Sequence, residues 1–261
     1  MNLQWQKYPQ NARKLFKLTI PIFISQLSAS GMGLADIVMA GLVSDDDVSA
    51  IAVSNSIYFP LFLFVLGLLN AITPTVSYLN GSNQRHLIAH QVRQGFWLVL
   101  TMSIPLILIF CNSHLILDYM HTPESFSSKS QQYLMIMAIG IVPALLAINL
   151  RCMNDGLSNP KPAMIITFFG LLLNIPLNYI FIFGKFGLPE MGAVGCGVAT
   201  AIVNWVMFLM MLYYAYTNKS QRDIGLFSKL MEMPSGQTLL KICKLGLPIG
   251  FATFTEVMLF S

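Results

Sequence analysis

Residues 15–43 read LFKLTIPIFISQLSASGMGLADIVMAGLV, and between Lys17 and Asp45 the one charged residue is Asp36. About 20 predominantly apolar residues are enough for a helix to cross a bilayer, so this run spans one with length to spare for tilt. The segment before it, Met1 to Lys17, is basic and polar. The apolar run nevertheless continues far past a signal-peptide core and offers no small-residue cleavage site, so it reads as a retained first span. Six further apolar runs follow between polar or Pro/Gly clusters, at Val48–Leu79, Phe96–Ser113, Gln131–Cys152, Ala163–Gly184, Gly192–Tyr216 and Leu239–Ser261. The whole chain agrees: 261 residues, 55% hydrophobic and 10% charged, with mean hydropathy +0.65. A soluble domain carries about 25% charged residues, which excludes a cytosolic enzyme, a disordered tail and a nucleic-acid binder. The predicted class is an all-α, polytopic membrane protein.

Charge sets the predicted orientation. Thirteen of the 15 Lys and Arg fall in alternate segments beginning with the N-terminus, and Lys129 and Lys185 stand on the other side. That bias places the N-terminus in the cytoplasm. The four cysteines, Cys111, Cys152, Cys196 and Cys243, have no CxxC spacing and suggest neither zinc nor a disulfide framework. His86, His90, His114 and His121 fall in loops or at span edges without metal-site spacing.

A repeat refines the domain organisation. Shifting Lys14–Ile22 onto Lys241–Ile249 gives identities at Lys14/Lys241, Lys17/Lys244, Leu18/Leu245, Pro21/Pro248 and Ile22/Ile249. Six spans separate the two starts, and an even number returns the chain to the same side, as in parallel transporter repeats. The expected organisation is a cytoplasmic segment at 1–14, a six-helix lobe at 15–216, a cytoplasmic linker at 217–238 and the first helix of a second lobe at 239–261. The apolar run up to Ser261 carries no polar tail, so truncation of that second lobe is the expectation.

Several residues do not belong in lipid. An ionised acid at the bilayer centre costs at least ~2.5–3.5 kcal/mol, so Asp36 and Glu256 each need a partner, a wet cavity or a proton. Asn174 and Asn178 are four apart in the fifth span and share a helix face. Pro176 between them should kink that helix and free the carbonyl of Leu172. Amide oxygens and a freed carbonyl are hard ligands that suit Na⁺ when a carboxylate is near. In the sixth span, Gly192/Cys196 and Ala193/Gly197 are small-xxx-small pairs that predict close packing, and Thr200 offers a hydroxyl. Asp45-Asp46-Asp47 reads as a solvated extracellular turn.

These residues resemble the multidrug and toxic compound extrusion (MATE) transporters, in particular the bacterial NorM-type branch. The carriers are Pro21 with Gly33-Leu34-Ala35-Asp36-Ile37-Val38-Met39-Ala40-Gly41, and Lys161-Pro162-Ala163-Met164. They continue through Leu171-Leu172-Leu173-Asn174-Ile175-Pro176-Leu177-Asn178, Gly192–Thr200 and Phe254-Thr255-Glu256-Val257. The resemblance implies two six-helix lobes in a bacterial inner membrane that export cationic or amphiphilic drugs in exchange for Na⁺ or H⁺, with no other cofactor. By match, Asp36, Asn174, Asn178 and Thr200 would form a cation site and Glu256 would serve the second lobe. Asn178 stands where some relatives have Asp, leaving Asp36 as the one acid of this lobe's site. Two other readings compete: a lipid or glycan-lipid flippase of related fold, and a membrane enzyme using Asp45–Asp47 with a metal. The flippase reading expects basic residues in the cavity, and no Lys or Arg lies in the interior of a predicted span, since Lys17, Arg151, Lys241 and Lys244 stand toward span ends. The expected partners are small-molecule drugs, membrane lipids and the missing lobe.

Overall fold

The computed structural model describes residues 7–228 and 232–260, with side chains over 15–228, 232–252 and 255. Its helices are α1 (Lys7–Gly41), α2 (Asp45–Asn70), α3 (Ile72–Gly81), α4 (Ile88–Cys111), α5 (Ser113–Tyr119), α6 (Glu124–Gly156), α7 (Lys161–Ile182), α8 (Gly192–Thr217) and α9 (Gly236–Phe260). Short 3₁₀ turns occupy Arg85–Leu87 and Lys219–Ile224, and the described residues contain no strand. Among the described residues, six stretches are long and apolar enough to cross a membrane: Leu15–Gly41, Asp45–Gly81, Arg85–Cys111, Glu124–Gly156, Lys161–Ile182 and Ala193–Thr217. The chain is a multi-pass membrane protein.

The helices outrun the apolar windows of the sequence. The third begins at Ile88 rather than near Phe96, so His90 and Arg93 lie on its first turns. Apolar windows report the lipid-facing length, while the hydrogen-bonded ladder continues into the polar boundary. The second predicted span divides at Ala71, because Pro74 has no N–H to give the carbonyl of Asn70 four residues back. Pro21, Pro60, Pro105, Pro143, Pro176 and Pro248 are each accommodated inside a helix. In a helix bundle, neighbouring groups and small local adjustments satisfy the carbonyls that such prolines free.

Helix α6 is the axle of the bundle. It packs on α8, α2, α4 and α3, and buries Leu134, Ile141, Leu145, Leu150 and Met153. Helix α7 joins α8, α1 lies on α7, and α9 lies on α2. Lipid supplies no hydrophobic drive between helices, so close backbone approach by small residues takes its place. A methyl on Gly140 of α6 would stand 3.0 Å from the α-carbon of Ala201 on α8. Along α2 and α9, Gly67 meets Gly250, and a methyl on Gly246 would stand 2.6 Å from the α-carbon of Leu68.

The segment between α8 and α9 is strapped to α4. Arg93 donates to Glu232 at 2.6 Å and to the carbonyls of Gly225 and Leu226 at 3.2 and 3.1 Å. Gln94 donates to the carbonyl of Met233 at 3.1 Å and accepts from the Ser235 N–H at 2.7 Å. The Trp97 indole donates to the carbonyl of Glu232 at 2.7 Å, and His90 bridges the Glu232 carboxylate and the Thr238 hydroxyl at 2.7 and 3.0 Å. The hydrogen bond from His90 and the charge of Arg93 hold the Glu232 carboxyl below the usual glutamate range.

Candidate cation site

Asp36 on α1 is buried, at 7% exposure, and faces α7 and α8. Asn174 and Asn178, one turn apart on α7, are 1% and 0% exposed. Both donate to the same oxygen, Oδ1 of Asp36, Asn174 at 3.1 Å and Asn178 at 2.6 Å. The Asn178 amide also donates to Oδ1 of Asn174 at 3.2 Å. From α8, the Thr200 hydroxyl donates to Oδ2 of Asp36 at 3.1 Å. The structure therefore brings four of the five sequence-derived site residues together from three helices. Glu256 lies on α9, but its side chain is outside the described residues. Pro176 lies inside α7, which runs unbroken from Lys161 to Ile182.

The close packing explains how three helices reach one carboxylate. A methyl on Gly195 would stand 2.5 Å from the carbonyl oxygen of Phe181, so α8 starts hard against the end of α7. One turn before Thr200 and on the same face of α8, Cys196 is fully buried. The sequence offered Cys196 as a packing residue; its four-residue spacing from Thr200 was the available sign that it shares the site's face.

The electrostatics are one-sided. Among the described residues, Asp36 makes no ion pair. Its donors are two neutral amides and a hydroxyl, so a negative charge here is solvated but not cancelled. Hydrogen bonds to a charged group contribute about 1.5–3 kcal/mol each, comparable with the ~2.5–3.5 kcal/mol insertion cost of an acid. One acceptor is left over: Oδ1 of Asn178 is buried without a hydrogen-bond partner among the described residues. Carboxylate, amide and hydroxyl oxygens are the ligands that hard monovalent and divalent cations take.

A second buried acid corrects the sequence reading. Asp45 and Asp46 are exposed, but Asp47 has 0% exposure. Its Oδ1 accepts from the Ala193 N–H at 2.9 Å and from Lys129 at 3.0 Å, and its Oδ2 accepts from the Ser44 hydroxyl. The Ser44 side chain in turn accepts from the Asp47 N–H at 3.1 Å, capping the start of α2. Gly192 takes φ +52 beside this carboxylate, and any side chain there would collide with it. The Ser-x-x-Asp spacing carried the signal, while the partners lie on α6 and α8. Asp47 is thus engaged as a brace between helices rather than presented as a solvated ligand.

Known proteins agree with this architecture. A protein-family model described as MatE matches residues 21–180. The chain is 85% identical over 261 residues to a probable multidrug resistance protein NorM of Haemophilus ducreyi, covering all of this chain and 56% of that protein. It is 49% identical over 257 residues to the multidrug resistance protein MdtK of Yersinia pestis strain Pestoides F, covering 98% of this chain and 56% of that one. The chain thus spans about half the length of these curated relatives. Among solved structures, the eukaryotic MATE transporter AtDTX14 superposes with a TM-score of 0.86 at 18% identity, over 95% of this chain and 54% of that one. An outward-facing multidrug resistance MATE transporter gives a TM-score of 0.82 at 18% identity, over 95% and 54%. At such identities the structural likeness speaks for the fold.

Proposed function

The chain belongs to the MatE family, the multidrug and toxic compound extrusion transporters, and on that premise we propose that it is part of an antiporter exporting cationic or amphiphilic compounds against Na⁺ or H⁺. The observation that carries the reading is Asp36. It is a buried acid on a membrane helix with neutral donors on both oxygens and no ion pair among the described residues. Such a group has one unmet need, a positive charge, and two ways of meeting it.

A proton would bind Asp36 directly, and the carboxylic acid would then donate one hydrogen bond and need fewer from the amides. A sodium ion would need oxygens turned toward it, which rotation of the Asn174 and Asn178 amides and the Thr200 hydroxyl would supply. The unpartnered Oδ1 of Asn178 is the oxygen already free for that role. The two ligands would then impose different arrangements on α1, α7 and α8. Because both use Asp36, binding one disfavours the other. Movement of the helices around this site would expose it to each side of the membrane in turn, with the cargo leaving as the coupling ion enters.

The names of the relatives support the multidrug cargo, and the neutral donor set around an acid supports cationic cargo over anionic cargo. The test is Na⁺ binding to the purified chain across a range of pH, with Asp36→Asn as the comparison. We expect Na⁺ to bind the parent chain and to be displaced by protons. The Asn variant should bind no Na⁺ while unfolding at the parent temperature. Na⁺ binding that survives Asp36→Asn would refute the site. Vesicle transport under separate Na⁺ and H⁺ gradients, with the protein at the length of its relatives, then identifies the coupling ion.

A further inference from the structure

Away from Asp36, a pocket of about 570 Å³ opens where Lys17 and Leu18 of α1, the loop into α7 and the 3₁₀ turn after α8 meet. Its walls include Lys17, Leu18, Ser158, Lys161 and Ser220. The size falls within the range of small-molecule sites. Lys17 and Lys161 come from different helices, both are exposed, and neither makes an ion pair among the described residues. Two lysines and two serines lining one open pocket suit a phosphate.

What lies beside the pocket indicates where that phosphate comes from. Helices α1 and α7 pack together, and each carries an exposed apolar row leading away from its lysine. On α7 the row is Lys161, Ile165 and Phe169, spaced four apart; on α1 it is Lys17, Ile20 and Leu27. These exposed apolar residues lie within membrane-crossing stretches. Both helices thus run from a cationic pocket at the membrane boundary into exposed apolar surface, complementary to an amphiphile with an anionic head and long tails. Basic pockets between helices at a membrane surface bind anionic lipid head groups by this complementarity. We propose that the Lys17–Lys161 pocket is a binding site for the head group of an anionic phospholipid, with the acyl chains lying along α1 and α7. This inference does not depend on the antiport reading, since neither lysine touches the Asp36 cluster.

The test places the purified chain in phosphatidylcholine nanodiscs with or without phosphatidylglycerol and identifies co-purifying lipid by native mass spectrometry. The parent should retain phosphatidylglycerol in preference to phosphatidylcholine. Each lysine near a surface contributes about fivefold in affinity, so Lys17→Gln with Lys161→Gln should reduce retention roughly twenty-five-fold. Lys17→Arg with Lys161→Arg should keep it, and Lys241→Gln with Lys244→Gln should leave it unchanged. Unfolding temperatures equal to the parent's show that the variants remain folded; if the Gln pair alone unfolds, Lys17→Gln and Lys161→Gln are measured singly, at about fivefold each. Retention unaffected by loss of the lysines, or equally lost with Lys241 and Lys244, would overturn the proposal. Displacement of the lipid by inorganic phosphate at equal molarity would also overturn it, in favour of a free-anion pocket.

Discussion

Replacing Asp47 by alanine puts the buried brace to a quantitative test. The substitution strips the Ala193 N–H of its acceptor while that residue stays fully buried. An unsatisfied buried donor costs about 1–3 kcal/mol. The Ser44 hydroxyl and the favourable charge at the start of α2 lose a partner as well, at about 0.3–1 kcal/mol. The Lys129 pair adds at most about 1 kcal/mol, because the lysine is 40% exposed. The expected loss is therefore roughly 1–5 kcal/mol, whose upper half ranks among the larger single-residue effects. Asp47→Asn keeps one acceptor for Ala193 and should cost about half as much. Asp45→Ala, three bonds poorer from the outset, should stay within about 0.5 kcal/mol. Equilibrium unfolding in mixed detergent micelles, run on all three variants, measures the ranking. If Asp47→Ala were no worse than Asp45→Ala, the triad of the N-cap, Lys129 and Ala193 would not be holding α2, α6 and α8 together.

Two further outcomes follow from the packing and the strap. Gly246→Val places side-chain carbon inside the backbone of α2 at Leu68, so α9 should lose its seat while the remaining helices keep theirs. Cross-linking between cysteines introduced on α2 and α9 should fall to background in that variant, and persistence of the cross-link would contradict the close approach. The lowered pKa of Glu232 gives the strap a pH dependence of fixed sign. A carboxyl held below its ordinary value stabilises the docked state above that ordinary value, and the contribution disappears as pH falls through the depressed one. Hydrogen exchange of amides in the 3₁₀ turn and around Ser235 should accelerate over that acidic window, and in Glu232→Gln the acceleration should be absent.

The parts of the fold that were legible in the sequence are those that lipid makes expensive. Asp36, Asn174 and Asn178 stood out because polar groups in a long apolar run demand an explanation, and their helical spacing already placed the two amides on one face. Thr200 was readable only alongside the tightly packed start of its helix. Asp47 was misread for the opposite reason: three successive acids in a short connection are usually solvated. What buries the third is an N–H on a helix that begins 145 residues later in the chain. Nothing local announces such a partner. Arg93 and Glu232 were hidden in the same way, since each looks like an ordinary boundary charge until α4 and the linker are side by side. Helix ends were also out of reach of hydropathy, because the ladder of hydrogen bonds continues where the oil stops.

The strap has an evolutionary corollary. Arg93, Gln94 and Trp97 reach mostly for main-chain atoms of the linker: the carbonyls of Gly225, Leu226, Glu232 and Met233, and the Ser235 N–H. Backbone atoms are supplied by almost any residue. Where its backbone alone is held, as at the exposed Met233, the linker is therefore free to change its side chain; Gln221, Ile224, Gly225, Leu226 and Glu232 are fixed by burial, by a positive φ or by their own side-chain bonds, and α4 must keep its three long polar side chains. A mutational scan of this region should be lopsided, permissive where the linker is held by its backbone alone and intolerant on the helix that holds it.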